Sequence, residues 1–212
     1  MNEFSIKIFS ILFFNLNIFL SNANIECNQK PIIEYKVKDV MSFKSEQDIK
    51  IFNKAYFAAG CFWGVEAIYK DLNGVISTKV GYMNGNTDNP SYKSICYDDT
   101  NHAEVVEVTF NERIIKYEDL CRVFWRLHDP TTLNRQGPDI GTQYRSGIFY
   151  LTDIEKNIAL NIKKESQKYW NNNIVTEIVP AKKFYEAEEY HQDYFNKNGI
   201  SNSGCHFLRN WN

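Results

Sequence analysis

The stretch Gly60-Cys61-Phe62-Trp63-Gly64-Val65-Glu66 is where this chain is best equipped to do chemistry. Gly60 allows a sharp turn out of the short strand Tyr56 to Ala59, and a helix from Cys61 to about Lys70 follows it. A cysteine at a helix N-terminus faces free amide donors and the positive end of the helix dipole. Both lower its pKa and raise the share of nucleophilic thiolate. The alternative is an inert buried thiol, a common fate for a lone cysteine. Phe62 and Trp63 could wall a pocket for a methyl or thioether group, or simply pack in the core.

A second chemical clue is Glu104, which shares strand parity with Val106, Val108 and Phe110. A carboxylate on an apolar face is costly while ionised. Burial would raise its pKa, hold it protonated near neutral pH and let it act as an acid. If Glu104 instead reaches water at the strand end, it has no such role, and the spacing leaves both readings open.

Several elements must position these two groups. Val75 to Tyr82 and Glu104 to Phe110 read as strands. Tyr117 to Leu127 reads as a helix with Tyr117, Leu120, Cys121, Phe124 and Leu127 on one face, and Glu118 and Arg122 paired on its surface. Arg145 to Leu151 is a strand. Thr152 and Glu155 form a capping box for a helix to about Tyr169, with Ile154, Ile158 and Ile162 on its apolar face. Val175 to Val179 reads as a strand and Ala187 to Phe195 as a short helix. The first six elements follow the split βαβ order. The expected fold is therefore α+β, a two-layer α/β sandwich with a ferredoxin-like mixed sheet core and a long irregular C-terminal tail.

The 212 residues suffice for one compact domain, placed from about Asn53 to the end. A net charge of -2 with both signs scattered leaves no basic stripe, which sets nucleic-acid binding aside. Cys27, Cys61, Cys96, Cys121 and Cys205 form no CxxC pair and have no zinc-site spacing. They suggest reactive or buried thiols over a disulfide framework, with Cys96 and Cys121 as packing residues and Cys27 as a free thiol. Ile8 to Leu20 is apolar, follows Lys7 and precedes Ser21-Asn22-Ala23. Residues 1–23 thus read as a cleaved export signal, with an uncleaved anchor or a disordered extension as alternatives. The apolar run is too short for a convincing membrane span. Residues 24–52 read as a surface lead-in. The expected location is outside the cytoplasm, periplasmic or secreted, with a cytoplasmic protein as the alternative.

Gly60-Cys61-Phe62-Trp63 resembles the active-site motif of the peptide methionine sulfoxide reductase type A family. So do His102-Ala103-Glu104-Val105, Asp139-Ile140-Gly141-Thr142-Gln143-Tyr144-Arg145-Ser146 and Glu189-Tyr190-His191-Gln192, and Asn89-Pro90-Ser91-Tyr92 fits a further block. The blocks run in family order from about Lys54 to Cys205, and an ordered set is far more specific than any one motif. The resemblance implies reduction of free and protein-bound methionine-(S)-sulfoxide. It assigns Cys61 as the nucleophile on sulfur and Glu104 as the acid that protonates the departing oxygen. Tyr92 and Tyr144 would hydrogen-bond that oxygen, Phe62 and Trp63 would hold the substrate methyl, and Asp139 would order the polar part of the site.

Oxygen transfer to Cys61 would leave a sulfenic acid, which a second thiol can condense to a disulfide. Cys205, in an Asn-, Ser- and Gly-rich tail, is the candidate, and a thioredoxin-like dithiol would reduce the product. No metal or organic cofactor is implied, and the chain is expected to be a monomer. Two departures stand out: Asn101 where the family usually has glycine, and Ser203-Gly204 before Cys205 where it often has Gly-Tyr. Asn tolerates left-handed backbone, so the first should matter little. Two rival functions remain: a cysteine hydrolase or acyltransferase pairing Cys61 with His102, His128, His191 or His206, and a non-catalytic module that binds Met-rich surfaces.

Overall fold

A computed structural model describes residues 52–200 and 206–211. The expected leader, residues 24–51 of the expected lead-in, with Cys27, and Cys205 lie outside the described residues, and Phe52 already belongs to the first strand.

Strand β1 (Phe52–Ala59) leads through Gly60 and Cys61 into helix α1 (Phe62–Lys70). Then come β2 (Val75–Met83), α2 (Tyr92–Tyr97), β3 (Ala103–Asn111) and α3 (Tyr117–Leu127). A two-residue hairpin, β4 (Arg135–Gln136) and β5 (Asp139–Ile140), and a 3-10 turn (Thr142–Tyr144) precede β6 (Ser146–Tyr150). The chain continues through α4 (Asp153–Ser166), β7 (Glu177–Pro180), β8 (Tyr185–Glu186), a 3-10 turn (Glu189–His191) and α5 (Tyr194–Lys197).

The main sheet has the order β7-β6-β1-β3-β2-β8. Its four central strands, with α1 joining β1 to β2 and α3 joining β3 to β6, make the ferredoxin-like core. β6 and β7 run parallel across the α4 crossover, while the other pairs are antiparallel, so the sheet is mixed. Phe57, Val106, Val108 and Phe110 form the main core on one sheet face, with Val65, Tyr69, Leu120 and Phe124 from the helices. The opposite face carries a smaller cluster of Tyr56, Ala58, Met83, Val105 and Phe149, covered by Val179, Ala181 and Phe184. The molecule is thus the expected two-layer arrangement.

The five expected α3 face residues are all buried. Glu118 and Arg122 form their ion pair at 2.7 Å. The apolar face of α4 is rotated from expectation: Ile154 is 72% exposed, while Ala159, Ile162 and Ser166 are buried. Ile154 sits in the first turn, and the buried positions all come from later turns. That helix also ends at Ser166, where the chain tightens into a 3-10 turn through Trp170.

One further element was not anticipated and one further reading is corrected. α2 is a single six-residue segment too short to show a period, closed by reciprocal bonds between Ser91 and Ser94. The expected helix Ala187 to Phe195 is broken by an extended Gln192 and a left-handed Asp193. Side chains compete with helical bonding there. Gln192 accepts from the Val80 amide at 2.9 Å and donates to the carbonyls of Val80 and Ala187, acting as a short strand beside β2.

Antiparallel pairing places the C-terminal ends of β1 and β2 beside the N-terminal ends of β3 and β6. Ser146 is level with Ala59, and Glu104 with Tyr82. The candidate site is built on this edge of the sheet.

Candidate active site

Gly60 has φ +93, the left-handed geometry that turns β1 into α1. A Cβ there would lie 2.6 Å from the side chain of Gln136, so the turn is closed on both conformational and steric grounds. Cys61 is the N-cap residue of α1 and is partly exposed. Phe62 is buried beneath it and Trp63 half-buried beside it.

The amide of Phe62 donates to Oε2 of Glu104 at 3.0 Å. This bond ties the acid candidate to the residue next to the nucleophile candidate. Glu104 is 2% exposed, so the strand-end escape to water does not occur. Burial pushes its carboxyl up to about 8, the Phe62 amide opposes the shift, and the neighbouring Asp139 charge adds to it. At neutral pH this group holds its proton.

Tyr92 and Tyr144 sit in the same electrostatic neighbourhood. Burial raises both phenols, and the charges of Glu104 and Cys61 act on Tyr92 while those of Glu104 and Asp139 act on Tyr144. Two phenols, a carboxyl that holds its proton and a partly exposed thiol therefore share one electrostatic neighbourhood. Phe62 and Trp63 lie next to one another with ring centroids 6.4 Å apart. That set offers proton donors to an oxygen atom and an apolar wall to its substituents. Among the described residues, no group of three His, Cys, Asp or Glu could hold a metal ion.

The model of the family described as peptide methionine sulfoxide reductase matches residues 53–210. The peptide methionine sulfoxide reductase MsrA of Methanothermobacter thermautotrophicus is 52% identical over 160 residues, covering 74% of this chain and 94% of that protein. This chain belongs to the peptide methionine sulfoxide reductase family. Its activity is thiol-dependent reduction of methionine sulfoxide, as a peptide-methionine (S)-S-oxide reductase. Reduced Mxr1 of Saccharomyces cerevisiae superposes with TM-score 0.72 at 46% identity, covering 76% of this chain and 94% of that one. The same yeast protein in complex with Trx2 matches with TM-score 0.54 at 34% identity, over 76% and 92% of the two chains.

In this reductase the loop before β3 keeps its shape without glycine, since Asn101 takes φ +54. The buried Arg145 guanidinium donates to the carbonyls of Asn101 and Thr142 at 3.1 and 3.0 Å, and pairs with Glu177 at 2.7 Å. It thus clips the loop that leads to Glu104 onto the turn that carries Tyr144. Cys121 is buried as expected. Cys96 packs against the core as expected, and its electrostatic interaction with Tyr92 puts it at the site's edge.

Each histidine has a hydrogen-bond partner among the described residues. His102 bonds the Gly85 amide and the Thr87 carbonyl, and His128 bonds the Phe124 carbonyl and the Ser146 hydroxyl. His206 reaches the Ala59 carbonyl at 2.7 Å. His191 accepts from Nε1 of Trp63 at 3.2 Å.

Sequence reasoning missed Glu188, Tyr82 and Tyr194. The Glu188 carboxylate accepts from the Tyr82 hydroxyl at 2.8 Å and the Tyr92 amide at 2.9 Å. Tyr194 stacks on Trp63 at 3.9 Å between centroids. The Glu189 to Gln192 block marked this neighbourhood, but nothing in its spacing points to partners about a hundred residues away.

Proposed function

We propose that Cys61 attacks the sulfur of methionine-(S)-sulfoxide while Glu104 delivers a proton to the sulfoxide oxygen. The observation that carries this is the Phe62 amide bond to Glu104, which sets a protonated carboxyl beside the thiol. A sulfoxide oxygen leaves poorly unless protonated, so both groups are required. Tyr92 and Tyr144 donate to that oxygen, Phe62 and Trp63 pack on the methyl group, and Asp139 orders the polar side. One oxygen passes to sulfur of Cys61, giving methionine and a sulfenic acid. Condensation with the Cys205 thiol then releases water and forms a disulfide. A thioredoxin-like dithiol reduces it and restores both thiols. The yeast relative's complex with Trx2 supports that partner class. The substrates are free methionine sulfoxide and oxidised proteins, and the chain works as a monomer that is exported, the export supported by the apolar run Ile8 to Leu20.

The test is an assay on the separate S and R epimers with dithiothreitol. The S epimer should be reduced, the R epimer left alone, and Cys61→Ser inactive. Turnover of the R epimer, or an active Cys61→Ser, overturns the reading. With thioredoxin as reductant, Cys205→Ser should complete one turnover and stall; unimpaired cycling would assign the resolving step to another thiol.

A further inference from the structure

We propose that His191 is a positioning residue for substrate binding, whose neutral imidazole fixes the Trp63 indole against which the substrate methyl packs. This deepens the reading above and rests on it.

An indole N–H can only donate. Its 3.2 Å contact therefore makes Nδ1 of His191 an acceptor and leaves the ring proton on Nε2. Nε2 is buried and has no hydrogen-bond partner among the described residues. A buried orphan donor is destabilising, and an apolar ring of the same size would avoid that cost. Packing alone does not account for a histidine here, whereas the need for an Nδ1 acceptor does.

The surroundings give that acceptor its purpose. The His191 ring lies 4.5 Å from Tyr92, 5.2 Å from Phe62 and 5.6 Å from Trp63, centroid to centroid. It thus touches each of the three aromatic residues assigned to the substrate's methyl and oxygen on this side of the site. Tyr194, three residues further on, covers one face of the Trp63 indole nearly in parallel, at 11°. The indole is held by its edge and by one face.

The segment bearing these grips is itself anchored. The His191 amide bonds the Glu188 carbonyl at 2.9 Å, while the Glu188 carboxylate holds Tyr82 and Tyr92. Gln192 is laced to the backbone of β2, and the Asp193 amide donates to the buried Glu66 of α1 at 2.9 Å. Residues 188–194 form a clasp that carries the geometry of β2 and α1 to the indole, with His191 as its contact point.

The test uses the purified full chain, dithiothreitol and the S epimer. His191→Phe keeps the ring and removes the acceptor. It should raise KM about tenfold, the 1.4 kcal/mol at the upper range for one neutral hydrogen bond. The single-turnover rate at saturating substrate should stay near wild type. His191→Asn, which returns an acceptor oxygen near the place of Nδ1, should recover most of the loss. In a Trp63→Phe background, where no indole N–H remains, His191→Phe should add nothing to KM. His191→Gln, a polar variant that moves the acceptor away from Nδ1, enters the same cycle if His191→Phe does not fold. An unchanged KM in a folded loss variant, or an equal KM increase with and without the indole, overturns the proposal. A wild type inactive on the S epimer would instead overturn the functional reading beneath it.

Discussion

Two buried glutamates stand three residues apart on β3, facing opposite sides of the sheet, and they are treated in opposite ways. Glu107 is 6% exposed, and both its oxygens accept from Lys54 at 3.0 Å, with the Tyr56 hydroxyl at 2.8 Å as well. Glu104 is 2% exposed and accepts the Phe62 amide, while the nearest ionised neighbour acting on it is the like charge of Asp139. Among the described residues no cation pairs with it. Lys54 and Tyr56 tie Glu107 into a network that locks β1 to β3, whereas Glu104, buried with no such partner, keeps a proton that chemistry can use.

The sharpest way to break this contrast is Glu104→Gln. An amide cannot deliver a proton, so the single-turnover reduction of the S epimer should slow about 10²- to 10⁴-fold. The sign for stability runs the other way. The folded carboxyl titrates near 8 against an ordinary 4.5, so between those values the folded state binds more protons than the unfolded one. Stability is then lost as pH rises through that window, and the amide removes the loss. Glu104→Gln should melt above wild type at pH 8, and the wild-type fall in kcat/KM around pH 8 should vanish from its profile. A normal single-turnover rate would remove Glu104 from the mechanism.

Glu107→Gln is the matched control. The amide still accepts from Tyr56 but gives up the bond to the Lys54 ammonium. Lys54 is 52% exposed and recovers water, so the expected loss is about 1 kcal/mol after allowing for solvent screening. Thermal unfolding measures it, and the reduction rate should not move. Loss of activity comparable to that of Glu104→Gln would show that the two carboxylates are not functionally distinct.

Part of the site was legible in the sequence, though not the contrast itself. The parity of Glu104 with Val106, Val108 and Phe110 placed it on the core face, and Gly60 before Cys61 marked the left-handed turn at the head of α1. The α3 face was readable because eleven residues give three turns of period. What stayed hidden depends on contacts that no local pattern encodes. Nothing near Glu104 says whether a cation pairs with it. His191 and Trp63 lie 128 positions apart. The clasp over residues 188–194 looked helical because its side-chain bonds to β2 and α1, which override helical spacing, belong to the tertiary structure. Ile154 looked buried by periodicity but is exposed in the first turn, while the buried face is carried by Ala159, Ile162 and Ser166 of later turns.

The smallest expected effect tests how the unpaired carboxyl is tuned. Asp139 lies half-buried on β5 and its charge adds to the shift of Glu104, behind the larger contribution of burial. Asp139→Asn keeps the shape and removes that charge. The carboxyl of Glu104 should then become easier to ionise, and the alkaline fall in kcat/KM should move to lower pH. Burial is untouched, so the fall should still lie well above the ordinary carboxylate range. A pH profile taken at low ionic strength, where a charge at this half-exposed site is least screened, reads the shift most clearly. A movement to higher pH would mean that Asp139 favours the ionised form of Glu104 and does not act on it as a like charge, and a fall below pH 5 would mean that repulsion, and not burial, keeps Glu104 neutral.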